Sequence, residues 1–89
     1  MLKITKIEAN GHRVILKLEG KITDQWAPLL DSECRAALRE RGRVELDCVG
    51  VSFLDEKGVE VLKRLLRPEV VLTGAPGYMT ELLQSGGRS

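Results

Sequence analysis

The sequence predicts a small one-sided α/β sandwich. It has a mixed four-stranded sheet, an N-terminal antiparallel hairpin and about three helices mainly on one face. Three observations carry this. Asn10-Gly11 stands between two short apolar-alternating runs, which is a strong hairpin signal because the pair supplies positive φ at low cost. Strand-like and helix-like patterns then alternate, as strand–helix–strand crossovers require. The alternation also leaves one side of each of the second and third strands polar, whereas a sheet covered on both faces asks for unbroken apolar runs.

Each element follows from its residues. In "LKITKIEANGHRVILKLEG", Val14, Leu16 and Leu18 share one face and Arg13, Lys17 and Glu19 the other, with Ile15 the exception. "TDQWAPLLDSECRAALRERG" reads as a helix, with Thr23 or Asp24 as cap, Pro28 in its first turns and Gly42 as its stop. Its expected stripe is Trp26, Leu29, Leu30, Glu33, Ala37, Leu38 and Arg41, with Cys34 beside it. "RVELDCVG" gives the third strand, with Val44, Leu46 and Cys48 inward and Glu45 and Asp47 outward. Asp55 then caps a second helix that buries Val59, Leu62, Leu65 and Leu66 and ends before Pro68. "VVLTG" is the fourth strand, and "PGYMTELLQ" a short third helix with Met79, Leu82 and Leu83 inward. Leu16, Leu18, Trp26, Leu30, Leu38, Leu46, Leu62 and Leu65 are the expected core.

The bulk numbers restrict function. The 89 residues make one domain, 1–89, with the last residues, about 85–89, expected to be disordered. Charged residues are 30%, hydrophobic residues 43% and the formal net charge is +1, so charge indicates neither nucleic acid nor membrane as partner. No apolar stretch approaches the roughly 18 residues of a membrane span, and the alternating N-terminus does not read as a signal peptide. Cys34 and Cys48 read as buried thiols of a reducing compartment, so the cytoplasm is the expected location.

Strands two, three and four are expected to end on one edge, where the three helices begin after Lys21–Asp24, Val51–Asp55 and Thr73–Gly77. Helix N-termini present unpaired amides there. No catalytic set converges on that edge. His12 is the only histidine and lies beside the hairpin turn, at the far end of its strand. Neither cysteine belongs to a C-x-x-C pair, and Asp24, Asp55 and Glu56 lack the spacing of a metal motif. Gly74 and Gly77 in "TGAPG" resemble half of a phosphate loop without the rest of the Walker pattern. The arginines are interleaved with acids, and only one Trp, one Tyr and one Phe accompany them, which argues against nucleic acid.

At "VELDCVGVSFLDEKGVEVLKRLL" the sequence resembles the STAS domain, the family of bacterial anti-sigma-factor antagonists. The family's core motif is a hydrophobic strand ending in aspartate, an apolar linker, then Asp-Ser-Ser-Gly opening a helix. Val44–Leu46 with Asp47 match the strand. Val49, Gly50, Val51, Phe53 and Leu54 match the linker, Asp55 the motif aspartate and Gly58 the motif glycine. Leu18, Gly20, Ile22 and Thr23 match the family's leading pattern. By this resemblance Glu56 and Lys57 stand where the two serines would be, and Lys57 takes the place of the phosphoacceptor. The segment between the second helix and fourth strand is only Arg67-Pro68-Glu69, shorter than is usual in the family, and many members continue beyond the third helix with another strand or helix.

The resemblance implies a non-catalytic protein–protein interaction module, without cofactor or metal, that regulates a partner by binding. The partner-binding surface comprises Thr23, Asp24, Asp55, Glu56, Lys57, Gly58, Thr73, Gly74 and Gly77. The partner is an anti-sigma-factor kinase-like protein or, alternatively, the ATPase of a lipid-transporting complex on which the chain sits as accessory subunit. A small nucleotide- or metal-binding enzyme is the remaining alternative. No nucleic acid and no direct membrane insertion are expected. Gly58 has two readings: it lets a partner approach the helix backbone, or it relieves crowding against the linker.

Overall fold

The computed structural model describes residues 1–10 and 12–86 of the chain. Strand β1 (Leu2–Asn10) runs antiparallel to β2 (Arg13–Ile22), and Asn10 pairs with Arg13 across the turn. Helix α1 (Ala27–Arg41) leads to β3 (Val44–Leu54), α2 (Glu56–Leu65) to β4 (Val70–Thr73), and α3 (Gly77–Gly86) follows. The sheet order is β1-β2-β3-β4, with β2, β3 and β4 mutually parallel. This is the expected fold class: a four-stranded mixed sheet with an N-terminal hairpin and three helices mostly on one face. The tail expected to be loose lies partly outside the described residues: α3 runs to Gly86, and 87–89 are not described.

Val14, Leu16 and Leu18 of β2 and Val44, Leu46 and Cys48 of β3 are buried under the helices, as their alternation predicts. Leu30 of α1 and Leu62 and Leu65 of α2 complete one cluster with them, and Trp26 and Leu38 pack against it half-buried. On β1 the helix-facing positions change character along the strand. Leu2 is buried, whereas Lys6 pairs with Glu40 at 2.8 Å and Glu8 pairs with Arg41. These two ion pairs tie the hairpin to the last turn of α1.

Helix α1 starts later than expected. Neither Thr23 nor Asp24 caps it: the first helical residue is Ala27, and Trp26 precedes it without a side-chain cap. The Thr23 carbonyl accepts instead from the amides of Trp26 and Ala27, both at 2.8 Å, closing a turn before the helix. Pro28 at the second helical position has no N–H, so one donor that a cap would satisfy is missing. The buried stripe is Ala27, Leu30, Cys34 and Ala37, while Leu29 and Glu33 are exposed. Small residues at 27, 34 and 37 let the helix approach the sheet, and they won the inward face over the larger Leu29. Gly42 stops the helix as expected, with φ +85° and its amide bonded to the Leu38 carbonyl at 2.8 Å.

Strand β3 also departs from expectation, because the apolar linker is strand to Leu54. Its register against β2 shifts twice, once between Lys17 and Glu19 and once between Gly20 and Lys21. Each shift inserts one extra residue on β3. Burial therefore leaves the two-residue period after Cys48 and falls on Val51 and Leu54, with Val49 and Phe53 turned outward. In α2, Val61 is buried and Val59 half-buried, whereas Leu66 ends the helix in extended backbone and is exposed. In α3, Met79 is fully buried and Leu83 half-buried, but Leu82 is exposed.

Candidate functional site

Because β2, β3 and β4 are parallel, their ends bring three loops to one edge of the sheet: Thr23–Trp26 before α1, Asp55 before α2 and Gly74–Pro76 before α3. Asp55 organises two of them. Its backbone is extended (φ −97°, ψ −175°), so its carboxylate points back over the first turn of α2. Oδ1 accepts from the Gly58 amide at 2.8 Å. Oδ2 accepts from the Asp24 amide, also at 2.8 Å. The Asp55 amide in turn donates to the Ile22 carbonyl at 3.2 Å. One aspartate thus caps α2 and pins the loop that leads into α1. The Gly58 amide above all holds its carboxyl below the ordinary value; burial, the next largest effect, opposes it, and the amides of Asp24 and Lys57 add to the lowering.

Glu56 and Lys57 occupy the exposed first turn of α2. The Lys57 side chain is 59% exposed, and its Nζ lies 3.7 Å from Glu60 Oε1. Gly58 is buried. A Cβ built there would lie 2.3 Å from the Ile22 carbonyl oxygen, so a side chain has no room. Of the two readings of this glycine, relief of crowding describes it, and the crowding comes from the end of β2 and not from the linker. The packing sets the Gly58 backbone against the end of β2.

The third loop is built differently. Thr73 donates its hydroxyl to Glu45 Oε2 at 3.0 Å on the open side of the sheet. Gly74 has φ +64°, and a Cβ there would fall 2.3 Å from Val49 Cγ2. Glycine is required on both counts. Gly77 opens α3 with nothing within 4 Å of its Cβ position. The Pro76 carbonyl accepts the amides of Met79 and Thr80 at 3.0 and 3.2 Å. These glycines shape a turn before a helix.

Two features of the edge went unread in the sequence. The Asp24–Asp55 bond spans 31 positions, and no local pattern signals it. Tyr78 donates its hydroxyl to the Val51 carbonyl at 3.0 Å, fastening α3 to β3. Val49, 70% exposed, stands beside Gly74, and Tyr78 is 40% exposed. A reading of β3 as strand past Gly50 would have exposed Val49.

Among the described residues no three His, Cys, Asp or Glu side chains stand close enough to hold a metal ion. His12 sits in the hairpin turn at the opposite end of β2. Cys34 and Cys48 are free and fully buried, and burial pushes their thiols up to about 11 and about 12. No described helix is long and apolar enough to cross a membrane.

Comparison with known proteins gives a consistent result. No curated protein matches the sequence. Among solved structures, the anti-sigma factor antagonist SpoIIAA in its unphosphorylated form superposes with a TM-score of 0.72 at 16% identity, over 92% of this chain and 82% of that one. The Bacillus cell fate determinant SpoIIAA in its phosphorylated form gives 0.75 at 14% identity, over 96% and 84%. The STAS domain of an antisigma-factor antagonist from Rhodobacter sphaeroides gives 0.64 at 21%, over 82% and 86%. At these identities the likeness is one of fold. The family model described as "Mlab, STAS domain" matches residues 5–88. Fold and family match agree: the chain is a STAS-like module whose fold resembles that of anti-sigma-factor antagonists, and it belongs to the Mlab, STAS domain family.

Proposed function

We propose that this chain regulates a protein partner by docking through the edge where α1, α2 and α3 begin, and that it does so without a serine phosphoswitch. The supporting observation is Lys57. An exposed amine stands in the first turn of α2, two residues past the capping aspartate, where the family resemblance puts the phosphoacceptor. SpoIIAA exists in unphosphorylated and phosphorylated forms. Lysine offers no hydroxyl, so this position cannot acquire the charge of a phosphoserine. Glu56 and Lys57 together sum to about zero, far from the roughly −1.5 to −2 of a phosphoserine. The module therefore resembles an unmodified, binding-competent antagonist.

The partner in this reading is an anti-sigma-factor kinase-like protein, and the location is the cytoplasm. The Mlab description of the matching family model favours a second reading, an accessory subunit on the ATPase of a lipid-transporting complex. Both use the same edge: Thr23, Asp24 and Asp55–Lys57 with the Thr73–Gly77 loop, supported from beneath by Gly58.

The test is to recover the partner from native lysate and measure its affinity for the natural chain, Lys57→Ser and Lys57→Glu. Lys57→Glu is expected to weaken binding by about 1 kcal/mol or more, and Lys57→Ser to stay close to the natural chain. Equal affinity for all three proteins removes this turn from the interface. Intact mass after incubation with a cognate kinase and ATP should be unchanged, and a phosphate mapped to Ser52 or Thr23 would overturn the constitutive reading.

A further inference from the structure

The formal net charge of +1 conceals a separation of charge along the molecule. At the hairpin end, β2, β3 and β4 begin and α1 and α2 finish. Three acids there are matched by three bases: Glu40 by Lys6, Glu8 by Arg41 and Glu45 by Arg13. What remains is Arg39, Arg43, Lys63, Arg64 and Arg67 against Glu69, a surplus of four positive charges. Glu60, one turn before Arg64, approaches Lys57 toward the other end of α2. The rest of the sequence holds six bases and nine acids and so sums to −3.

The backbone fixes this basic end. The Arg43 carbonyl accepts the Val14 amide at 3.1 Å, the Glu69 carbonyl accepts the Val44 amide at 2.8 Å, and the Arg67 carbonyl accepts the Val70 amide at 2.9 Å. Arg67 Nη2 reaches back to the Arg64 carbonyl at 3.5 Å. Arg39, Arg43, Arg64 and Arg67 are all exposed. Bases in the last turns of α1 and α2 offset the helix dipoles. Two helix C-termini supply only about one negative charge between them, so roughly three of the four positive charges stay unmatched.

We infer that this end adsorbs to an anionic lipid surface, with Leu66 entering the headgroup layer between Arg64 and Arg67. Charge complementarity calls for a polyanion, and guanidinium forks match phosphate oxygens. Leu66 selects lipid among polyanions. It follows α2 in extended backbone, 37% exposed, with exposed Pro68 close behind. An apolar side chain among bases gains from an acyl boundary. Single-stranded nucleic acid asks instead for aromatic rings to stack on, and the chain's Trp26, Phe53 and Tyr78 all belong to the opposite edge. Each base near such a surface strengthens binding about fivefold, so three unmatched charges give on the order of a hundredfold preference for anionic over neutral lipid, weakened by salt. Adsorption by this end turns the edge where the helices begin away from the bilayer. The inference goes beyond the partner reading and does not depend on it.

The test is flotation of the full chain with vesicles of mixed phosphatidylglycerol and phosphatidylcholine, against vesicles of phosphatidylcholine alone. Binding to the mixed vesicles is expected to be at least about tenfold stronger, and to fall as salt is added. Arg43→Gln combined with Arg67→Gln should weaken it at least about tenfold, and Leu66→Gln about threefold. Lys3→Gln combined with Lys21→Gln removes the same charge from exposed positions toward the other end of the sheet, and should change it by less than about twofold. Unchanged circular dichroism spectra establish that each variant is folded. Equal binding to the two vesicle types, no binding to either, equal losses from the arginine and lysine pairs, or full binding by Leu66→Gln would overturn the assignment. So would capture of a single-stranded RNA or a polyglutamate peptide by a chain that leaves the mixed vesicles unbound.

Discussion

Asp55 shows how one carboxylate shapes the functional edge. Its two oxygens take amides from two different loops, so replacing it disturbs both. Asp55→Ala is expected to lower the urea midpoint, and to loosen the Thr23–Trp26 loop as read by amide exchange at Asp24. Acid acts in the same direction. A carboxyl held below its ordinary value stabilises the fold above that value, here 3.8, and the contribution is lost as pH falls through the folded-state value. The natural chain should therefore lose more stability than Asp55→Asn between pH 5 and strongly acid solution, measured by urea unfolding across that range. A parallel loss in both proteins would show that other groups dominate. Gly58 makes a sharper prediction. Gly58→Ala forces a methyl toward the Ile22 carbonyl and should cost about 1–3 kcal/mol by overpacking, with chemical denaturation as the check. The cap was legible in the sequence, since an apolar run ends at an aspartate followed at once by an acid and a helical pattern. The bond to Asp24 was not legible, because only tertiary folding brings positions 24 and 55 together.

Among the elements, β3 and α1 separate what a pattern can tell from what packing decides. The alternation through Val44, Leu46 and Cys48 identified the strand, and Leu46 is fully buried. Leu46→Ala is expected to cost about 2–5 kcal/mol, and a loss below about 1 kcal/mol in equilibrium unfolding would contradict its place in the core. Beyond Cys48 two extra residues break the period, so the run Val49–Leu54 resembles a linker when it is strand. A bulge leaves no periodic trace in one sequence, and this explains the early end given to β3. In α1 the large Leu29 was expected inside, but Ala27, Cys34 and Ala37 hold the face toward the sheet. Counting hydrophobic residues favours bulk, while close helix–sheet approach favours small side chains. Leu29→Ala, at an exposed position, should change stability by no more than about 0.5 kcal/mol, in contrast to Leu46→Ala.

At the scale of the whole molecule, the two ends of the sheet differ in kind. The hairpin end carries His12 and the ion pairs of Lys6 and Glu8 with α1. The other end carries the three helix starts, the Asp55 bonds and the exposed Lys57, Val49 and Tyr78. The parallel order that produces this asymmetry was readable from the alternation of strand and helix patterns. The contribution of Tyr78 was not, because it depends on one tyrosine hydroxyl reaching across from α3. The interior is chemically quiet by comparison. Cys34 and Cys48 should not react with a thiol reagent in the native chain at neutral pH, and both should react after denaturation. The central claim, that the partner covers the edge where the helices begin, is tested most directly by a hydrogen-exchange footprint of the chain with and without its recovered partner. Docking at that edge predicts new protection at residues 23–26, 55–58 and 73–78, with the amides of residues 3–9 unchanged. Protection confined to β1 and the hairpin turn, with the helix starts unaffected, would contradict it.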